Sequence, residues 1–268
     1  MASQAKPTAT FMRPGFHTIT PYLVIPRAAQ LIEFLKTSFG ATERLRVPVP
    51  DGPGLIMHAE VSIGNSIVEV ADANEAFPAA PTAIHLYLSD ADAAYDRAIQ
   101  AGATSLYPPV DQPWGDRQGA VKDASGNVWY IATAGSWTPD PGELLAVQPY
   151  LHVHAADKMI PFLQDAFGAE ALGVAKSPEG VVLHATIKIG NATLEIDEAQ
   201  GDFQPMPCHL HLYVPDTDAT YDRALRAGAI SQEAPATKDY GDRSAGVKDP
   251  WGNSWFLATH LGPAASVP

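Results

Sequence analysis

Cysteine is almost missing from this chain: Cys208 is the single one in 268 residues. No internal disulfide can form, and a reducing compartment fits, so a cytoplasmic location is expected. Cations are scarce as well. Lys and Arg number 17 against 30 Asp and Glu, a formal net charge of −13. That balance repels phosphate backbones and anionic bilayers, so neither nucleic acid nor membrane is an expected partner. It would suit a cationic ligand, although solubility accounts for it too. No apolar run reaches the roughly 18 residues of a spanning helix. Met1–Gly15 has no apolar centre of the secretory kind and reads as a disordered tail. With 46% hydrophobic and 18% charged residues the chain is globular.

What it does have is a repeat. AIHLYLSDADAAYDRAIQAG (Ala83–Gly102) returns as HLHLYVPDTDATYDRALRAG (His209–Gly228). PYLVIPRAAQLIEFLKTSFGA (Pro21–Ala41) returns as PYLHVHAADKMIPFLQDAFGA (Pro149–Ala169), and LIMHAEVSIGNSIVEV (Leu55–Val70) as VVLHATIKIGNATLEI (Val181–Ile196). WGDRQGAVKDASGNVWYIAT (Trp114–Thr133) returns as YGDRSAGVKDPWGNSWFLAT (Tyr240–Thr259). The order never changes, so two related units are expected. We place them at 18–134 and 146–260, with tails at 1–17 and 261–268 and a linker at 135–145 that is rich in proline and glycine.

Each unit has a rhythm of its own. A strand around Ile19–Ile25 leads to a helix over Ala28–Phe39, where Leu31, Ile32, Leu35 and Phe39 share a face and Gly40 stops it. Three strands follow, at Glu43–Pro48, Leu55–Ile63 and Ser66–Ala71. The pattern restarts with a strand at Thr82–Leu88 and a helix capped by Asp90 or Asp92. The helix buries Tyr95, Ala98 and Ile99 and ends at Gly102. The chain is therefore four strand–helix–three-strand modules, an α+β fold. Strand alternation puts Gln148, Tyr150 and His152 on one face, and likewise His209, His211 and Tyr213, and Glu195 with Asp197.

These modules, with FGA after the first helix, D-x-D-x-x-Y-x-R-A-x-x-A-G in the second and W-G-D-R…D-x-x-G-N-x-W near the end, resemble the vicinal oxygen chelate superfamily. That is the glyoxalase/bleomycin-resistance/dioxygenase group. The tryptophan-rich ending is similar to its PhnB-like branch. The resemblance covers nearly the whole chain. It implies tandem domains of that fold, with curved mixed sheets and helices outside. It also implies a small-molecule ligand and a chain that is a monomeric pseudo-dimer or a homodimer.

Metal-using relatives place four ligands on four strands. Carried over, the first position falls on Thr20 and Gln148, the second on Glu69 and Glu195, the third on Ala83 and His209, the fourth on Tyr130 and Phe256. The expected ligands for a divalent Zn, Ni, Fe or Mn ion are Gln148, Glu195 and His209, with His211 and His152. Glu69 and Glu195 are the expected catalytic carboxylates. Two assemblies are open. Without exchange of modules, Gln148, Glu195 and His209 meet. With exchange, Glu69 meets His209 and His211, while Gln148, His152 and Glu195 meet His85.

The expected activity is a metal-dependent, glyoxalase-like lyase or isomerase acting on a small oxygenated substrate. The alternative is a metal-free binder of a drug or metabolite in an aromatic groove. Tyr150, Tyr213, Trp114, Tyr240, Arg117 and Arg243 are the expected substrate contacts. The two Gly-Asp-Arg loops read as lids, or as loops tied by an internal Asp–Arg contact. His58, His184, Trp129, Trp251 and Trp255 read as structural, and Cys208 as no nucleophile.

Overall fold

The computed structural model describes residues 11–135, 144–201 and 203–262. The expected tail at 1–10, most of the linker and residues 263–268 lie outside them.

Four modules of the expected kind are present. The first is β1 (Ile19–Ile25), α1 (Ala28–Phe39), β2 (Thr42–Pro48), β3 (Ile56–Ile63) and β4 (Ser66–Asp72). The second is β5 (Ala83–Tyr87), α2 (Ala91–Gln100), β6 (Thr104–Asp111), β7 (Arg117–Lys122) and β8 (Val128–Thr133). The third is β9 (Val147–Val153), α3 (Ala156–Phe167), β10 (Glu170–Lys176), β11 (Val182–Ile189) and β12 (Ala192–Glu198). The fourth is β13 (His209–Tyr213), α4 (Thr217–Arg226), β14 (Ile230–Thr237), β15 (Asp242–Lys248) and β16 (Ser254–His260).

Helix ends follow local chemistry. Gly40 closes α1 in the left-handed region at φ 67°, and its N–H returns to the Leu35 and Lys36 carbonyls. Asp90 caps α2 by accepting from Ala93 N, and Asp216 does the same for α4 at Ala219 N.

The modules are exchanged. One eight-stranded sheet runs β14-β15-β16-β13-β1-β4-β3-β2, joining the first module to the fourth; we call it the outer-module sheet. The other runs β10-β11-β12-β9-β5-β8-β7-β6, joining the two inner modules. Each seam is antiparallel. β1 pairs β13 with Thr20 opposite His211 and Tyr22 opposite His209. β5 pairs β9 with His85 opposite Gln148.

The hydrophobic cores follow the sequence halves instead. Leu31, Ile32 and Leu35 of α1 and Ala94 and Ala98 of α2 share one cluster with Leu23, Ile84, Trp129 and Ile131, and the second half has a matching cluster around α3 and α4. Each half thus supplies a core between its helices and one face of both sheets. The opposite, inner face of each sheet is left for residues from both halves.

Two asparagine turns clasp the sheets together. Asn65, between β3 and β4, accepts from Ala146 N at 2.9 Å, just before β9. Asn191, between β11 and β12, accepts from Thr18 N at 2.8 Å, just before β1. The tryptophan-bearing motif is also structural. Asp249 accepts from Trp255 Nε1, Asn253 Nδ2 and the Trp251 and Asn253 amides, and Asp123 holds Trp129 and Asn127 in the same way.

Residues 11–17 are not the loose tail expected of 1–17. Phe11, Met12 and Phe16 pack with Ile67, Tyr213 and Ala258, because an inner-face patch of the outer-module sheet needs an apolar cover.

Gly190 (φ 61°) has no room: an added Cβ would lie 2.2 Å from Thr18 Oγ1. At Gly40 (φ 67°) nothing stands within 4 Å. Left-handed strain alone costs about 1–3 kcal/mol. Urea unfolding should therefore show Gly190→Ala losing clearly more stability than Gly40→Ala; equal losses would mean the clasp is not tight.

Candidate functional site

Strand alternation sends Thr20, Tyr22, Glu69, His209, His211 and Phe256 to the inner face of the outer-module sheet. Gln148, Tyr150, His152, Glu195, Asp197, His85 and Tyr130 reach the inner face of the other. The five expected metal ligands are thereby divided. Gln148, His152 and Glu195 sit on one sheet, His209 and His211 on the other. The set that needed unexchanged halves is not assembled.

Exchange makes two carboxylate–imidazole pairs across the repeat. His211 Nδ1 lies 3.0 and 3.1 Å from the Glu69 carboxylate oxygens. His85 Nδ1 lies 2.9 and 3.0 Å from those of Glu195. Both glutamates are buried, at 1% and 5% exposure, and burial alone would raise them. The facing histidine overcomes that, and each carboxyl is held below its ordinary value. The remaining nitrogen of His85, Nε2, is buried with no partner among the described residues.

The two inner faces then diverge. On the outer-module sheet, residues 11–16 cover the site. Arg13 Nε donates to Tyr213 Oη at 2.8 Å, its Nη2 pairs with Glu60, and its guanidinium sits 4.5 Å from the Phe16 ring. Tyr213 is thus engaged by the chain itself. The other sheet has a chain of three side chains. Asp197 Oδ1 accepts from His152 Nδ1 at 2.6 Å, and Tyr130 Oη lies 2.8 Å from His152 Nε2. Because Nδ1 carries the proton given to Asp197, Nε2 is the acceptor and Tyr130 donates. Tyr150 Oη donates to the other Asp197 oxygen at 3.2 Å. Burial raises the Tyr130 hydroxyl, with Tyr107, Asp197 and Glu195 adding to it, so the phenol keeps its proton at neutral pH. At the repeat-equivalent positions the outer-module sheet carries Val24, Ala71 and Phe256, and none can join such a chain.

A cavity of about 890 Å³ opens between the crossover loops Ala76–Pro81 and Phe203–Cys208 and reaches Tyr130, His152 and His209. Phe203 packs on Tyr130 and His152 (6.3 and 5.6 Å between ring centroids), and Phe77 packs on Phe256 (5.9 Å). His209 stacks on Phe256 and reaches the Pro78 carbonyl with Nε2 at 3.4 Å. Burial lowers its pKa, with Lys248 adding to the effect and the Pro78 carbonyl opposing it.

Several expected contacts lie elsewhere. Arg117 is bound to Asp92 of α2 and to Asp111, and Arg243 to Asp218 of α4. Both arginines turn to the helices rather than to the cavity. Trp114 and Tyr240 are exposed and do not line the cavity. His58 and His184 meet Tyr22 and Tyr150, at 3.1 and 3.4 Å. Cys208 is buried, and desolvation together with the Asp249 charge pushes its thiol up to about 12. Tyr130 and Asp197 are the residues that sequence reasoning did not place in the site. The signal was the tyrosine standing at the fourth ligand position.

The chain matches the family model described as the glyoxalase/bleomycin resistance protein/dioxygenase superfamily at residues 15–131 and 147–257. It belongs to that superfamily. The uncharacterized protein Rv0887c of Mycobacterium tuberculosis is 37% identical over 124 residues, covering 42% of this chain and 72% of that protein. Glyoxalase I from Zea mays shares the fold, with a TM-score of 0.68 at 16% identity over 90% of this chain and 92% of that one. A putative dioxygenase from Bacillus subtilis does so with a TM-score of 0.58 at 13% identity, covering 94% and 87%.

The superfamily's metal chemistry needs at least three protein donors around an open position. Here the donors are already engaged: Glu69 with His211 on one face, and Glu195 with His85 and Asp197 with His152 on the other. Gln148 Oε1 accepts from Thr193 Oγ1 at 2.7 Å, and the fourth position is Tyr130 or Phe256. Among the described residues no group of three His, Cys, Asp or Glu side chains is placed to hold an ion. The donor set does not fit the metal.

Leaving one partner of a buried hydrogen bond unsatisfied costs about 1–3 kcal/mol. Glu195→Ala should lose stability of that order at neutral pH. The folded carboxyl titrates below its unfolded value, so the pair's contribution is full above the ordinary carboxylate range and vanishes as pH falls through the folded value. Denaturation midpoints of wild type and Glu195→Ala should therefore converge in acid. A difference that persists there would contradict the pairing.

Proposed function

We propose that this chain is a metal-independent proton-transfer enzyme of lyase or isomerase type, acting on a small oxygenated substrate. The Asp197–His152–Tyr130 chain at the cavity wall is the observation that carries this reading. It stands on the inner face where relatives place metal ligands, and it supplies acid–base chemistry from side chains alone.

The chemistry follows the direction of the hydrogen bonds. Tyr130 accepts a proton from a carbon next to a substrate carbonyl, and its own proton passes to His152 Nε2. The imidazolium is held in orientation and stabilised by Asp197; the return transfer delivers the proton to the neighbouring, former carbonyl carbon while the substrate's own hydroxyl proton moves to the former carbonyl oxygen, so both side chains end as they began. Burial keeps the phenol protonated until substrate arrives, so the two transfers are coupled. Positioned general bases of this kind contribute about 10²–10⁴-fold.

A second reading, a binder without turnover, is favoured by the rings of Tyr130, Tyr150, His152 and Phe203 packed on one another at the site. Proton NMR in deuterated water separates the two. A panel of small α-hydroxy ketones and aldehydes is incubated with metal-stripped protein. The enzyme reading expects exchange of the carbon-bound hydrogen for at least one compound, slowed about 10²–10⁴-fold in Tyr130→Phe and in His152→Ala. Exchange untouched by Tyr130→Phe would refute the role of the chain. Calorimetric binding without any exchange would favour the binder.

A further inference from the structure

Among the described residues the charge of the cavity is opposite to the charge of the protein. The chain carries 30 acidic residues, yet no described Asp or Glu lines the space between the crossover loops. The formally charged side chains there are Lys122 and Lys248. They occupy equivalent positions in the repeat, at the ends of β7 and β15, so they approach the cavity from opposite sides of the pseudo-symmetric pair. Neither makes an ion pair among the described residues, whereas Lys36, Lys158 and Lys238 each do. The Lys248 stem lies over the Gly252 turn, 3.9 Å from where a Cβ would stand and beside Pro207, and both residues border the cavity. The rest of the wall is mainly apolar, with Phe77, Leu106, Phe203 and Met206.

His209 adds an independent observation. It is 7% exposed and lines the same space. The Pro78 carbonyl can only accept, so Nε2 carries the ring proton and Nδ1 is a bare acceptor. Nδ1 is buried and has no partner among the described residues. The ring lines the cavity, so a ligand hydroxyl would satisfy Nδ1 once the ring turns toward it.

We infer that this cavity takes an amphipathic anion: an apolar or aromatic body, a carboxylate or phosphate headgroup received by Lys122 and Lys248, and a hydroxyl for His209. This deepens the proposed function by naming the substrate class, and it reverses the cationic ligand that the net charge alone would favour. An unpaired lysine at a pocket mouth costs little while solvated, and two of them bracket a headgroup that apolar walls cannot hold. The inference rests on the same cavity as the proposed function but not on turnover.

Calorimetry with four probes tests it: 3-phenyllactate, phenyl phosphate, the neutral 3-phenyllactamide and the cation 2-phenylethylammonium. Each is titrated into wild type, Lys122→Gln, Lys248→Gln and the double variant. Saturable binding of an anion is expected, about tenfold tighter than the amide or the cation. The double variant should lose that preference while keeping its melting temperature, because neither lysine is buried. 3-Phenyllactate against phenyl phosphate identifies the headgroup. Equal binding of the amide or cation, anion affinity unchanged in the double variant, or no saturable anion binding at millimolar concentration would each overturn the inference. Lysine-dependent anion binding by a protein that exchanges no carbon-bound hydrogen would leave this inference standing and remove the base role of Tyr130.

Discussion

The antiparallel seams between β1 and β13 and between β5 and β9 are the constraint on which everything else depends. They join the first module to the fourth and the second to the third, while the hydrophobic cores follow the sequence halves except for Ile19, Ala146 and Val147 at the seams. A core built within a half and a sheet built between halves cannot separate without exposing both, so each repeat unit is committed to the other. The asparagine turns enforce this: each sheet's β-turn holds the backbone at the start of a strand in the other sheet. Histidine and glutamate that stand 142 and 110 residues apart become hydrogen-bonded partners only through that exchange.

Exchange also explains why two similar halves make two different sites. Each inner face combines first-half and second-half residues, so small differences between the copies compound. One face receives Val24, Ala71 and Phe256 and is covered by Arg13 and Phe16. The other receives His152, Asp197 and Tyr130 and opens on the cavity. The carboxylate–imidazole pair is the feature both retain. Its buried charges demand partners on either face, so it persists whatever the surroundings do.

Much of this was legible in the sequence. The repeat placed all four modules, apolar periodicity located α1 to the residue, and alternation correctly grouped Gln148 with Tyr150 and His152. Pairing between modules was not legible, because both assemblies satisfy the same local patterns, and strand order depends on contacts far apart in the chain. The choice between the two ligand groupings was hidden for a related reason. The unexchanged one needed His209 beside Gln148 and Glu195, and the seams send them to different sheets, whereas Gln148, His152 and Glu195 do meet His85 as the exchanged one required. Arg117 and Arg243 were misplaced because a strand position says which face a side chain leaves from, not that Asp92 and Asp218 on the helices lie within its reach. The sign of the cavity was hidden too, since net charge averages over a surface and a cavity is lined by few residues.

The state of His152 tests the account at its centre. Nitrogen-15 NMR of the histidine side chains, recorded at neutral pH on wild type and Tyr130→Phe, reads which ring nitrogen carries the proton and whether the other accepts a hydrogen bond. The account predicts a proton on Nδ1, facing Asp197, and an Nε2 that accepts from Tyr130 in the wild type and loses that bond in the variant. A proton on Nε2, or a spectrum indifferent to Tyr130→Phe, would contradict it.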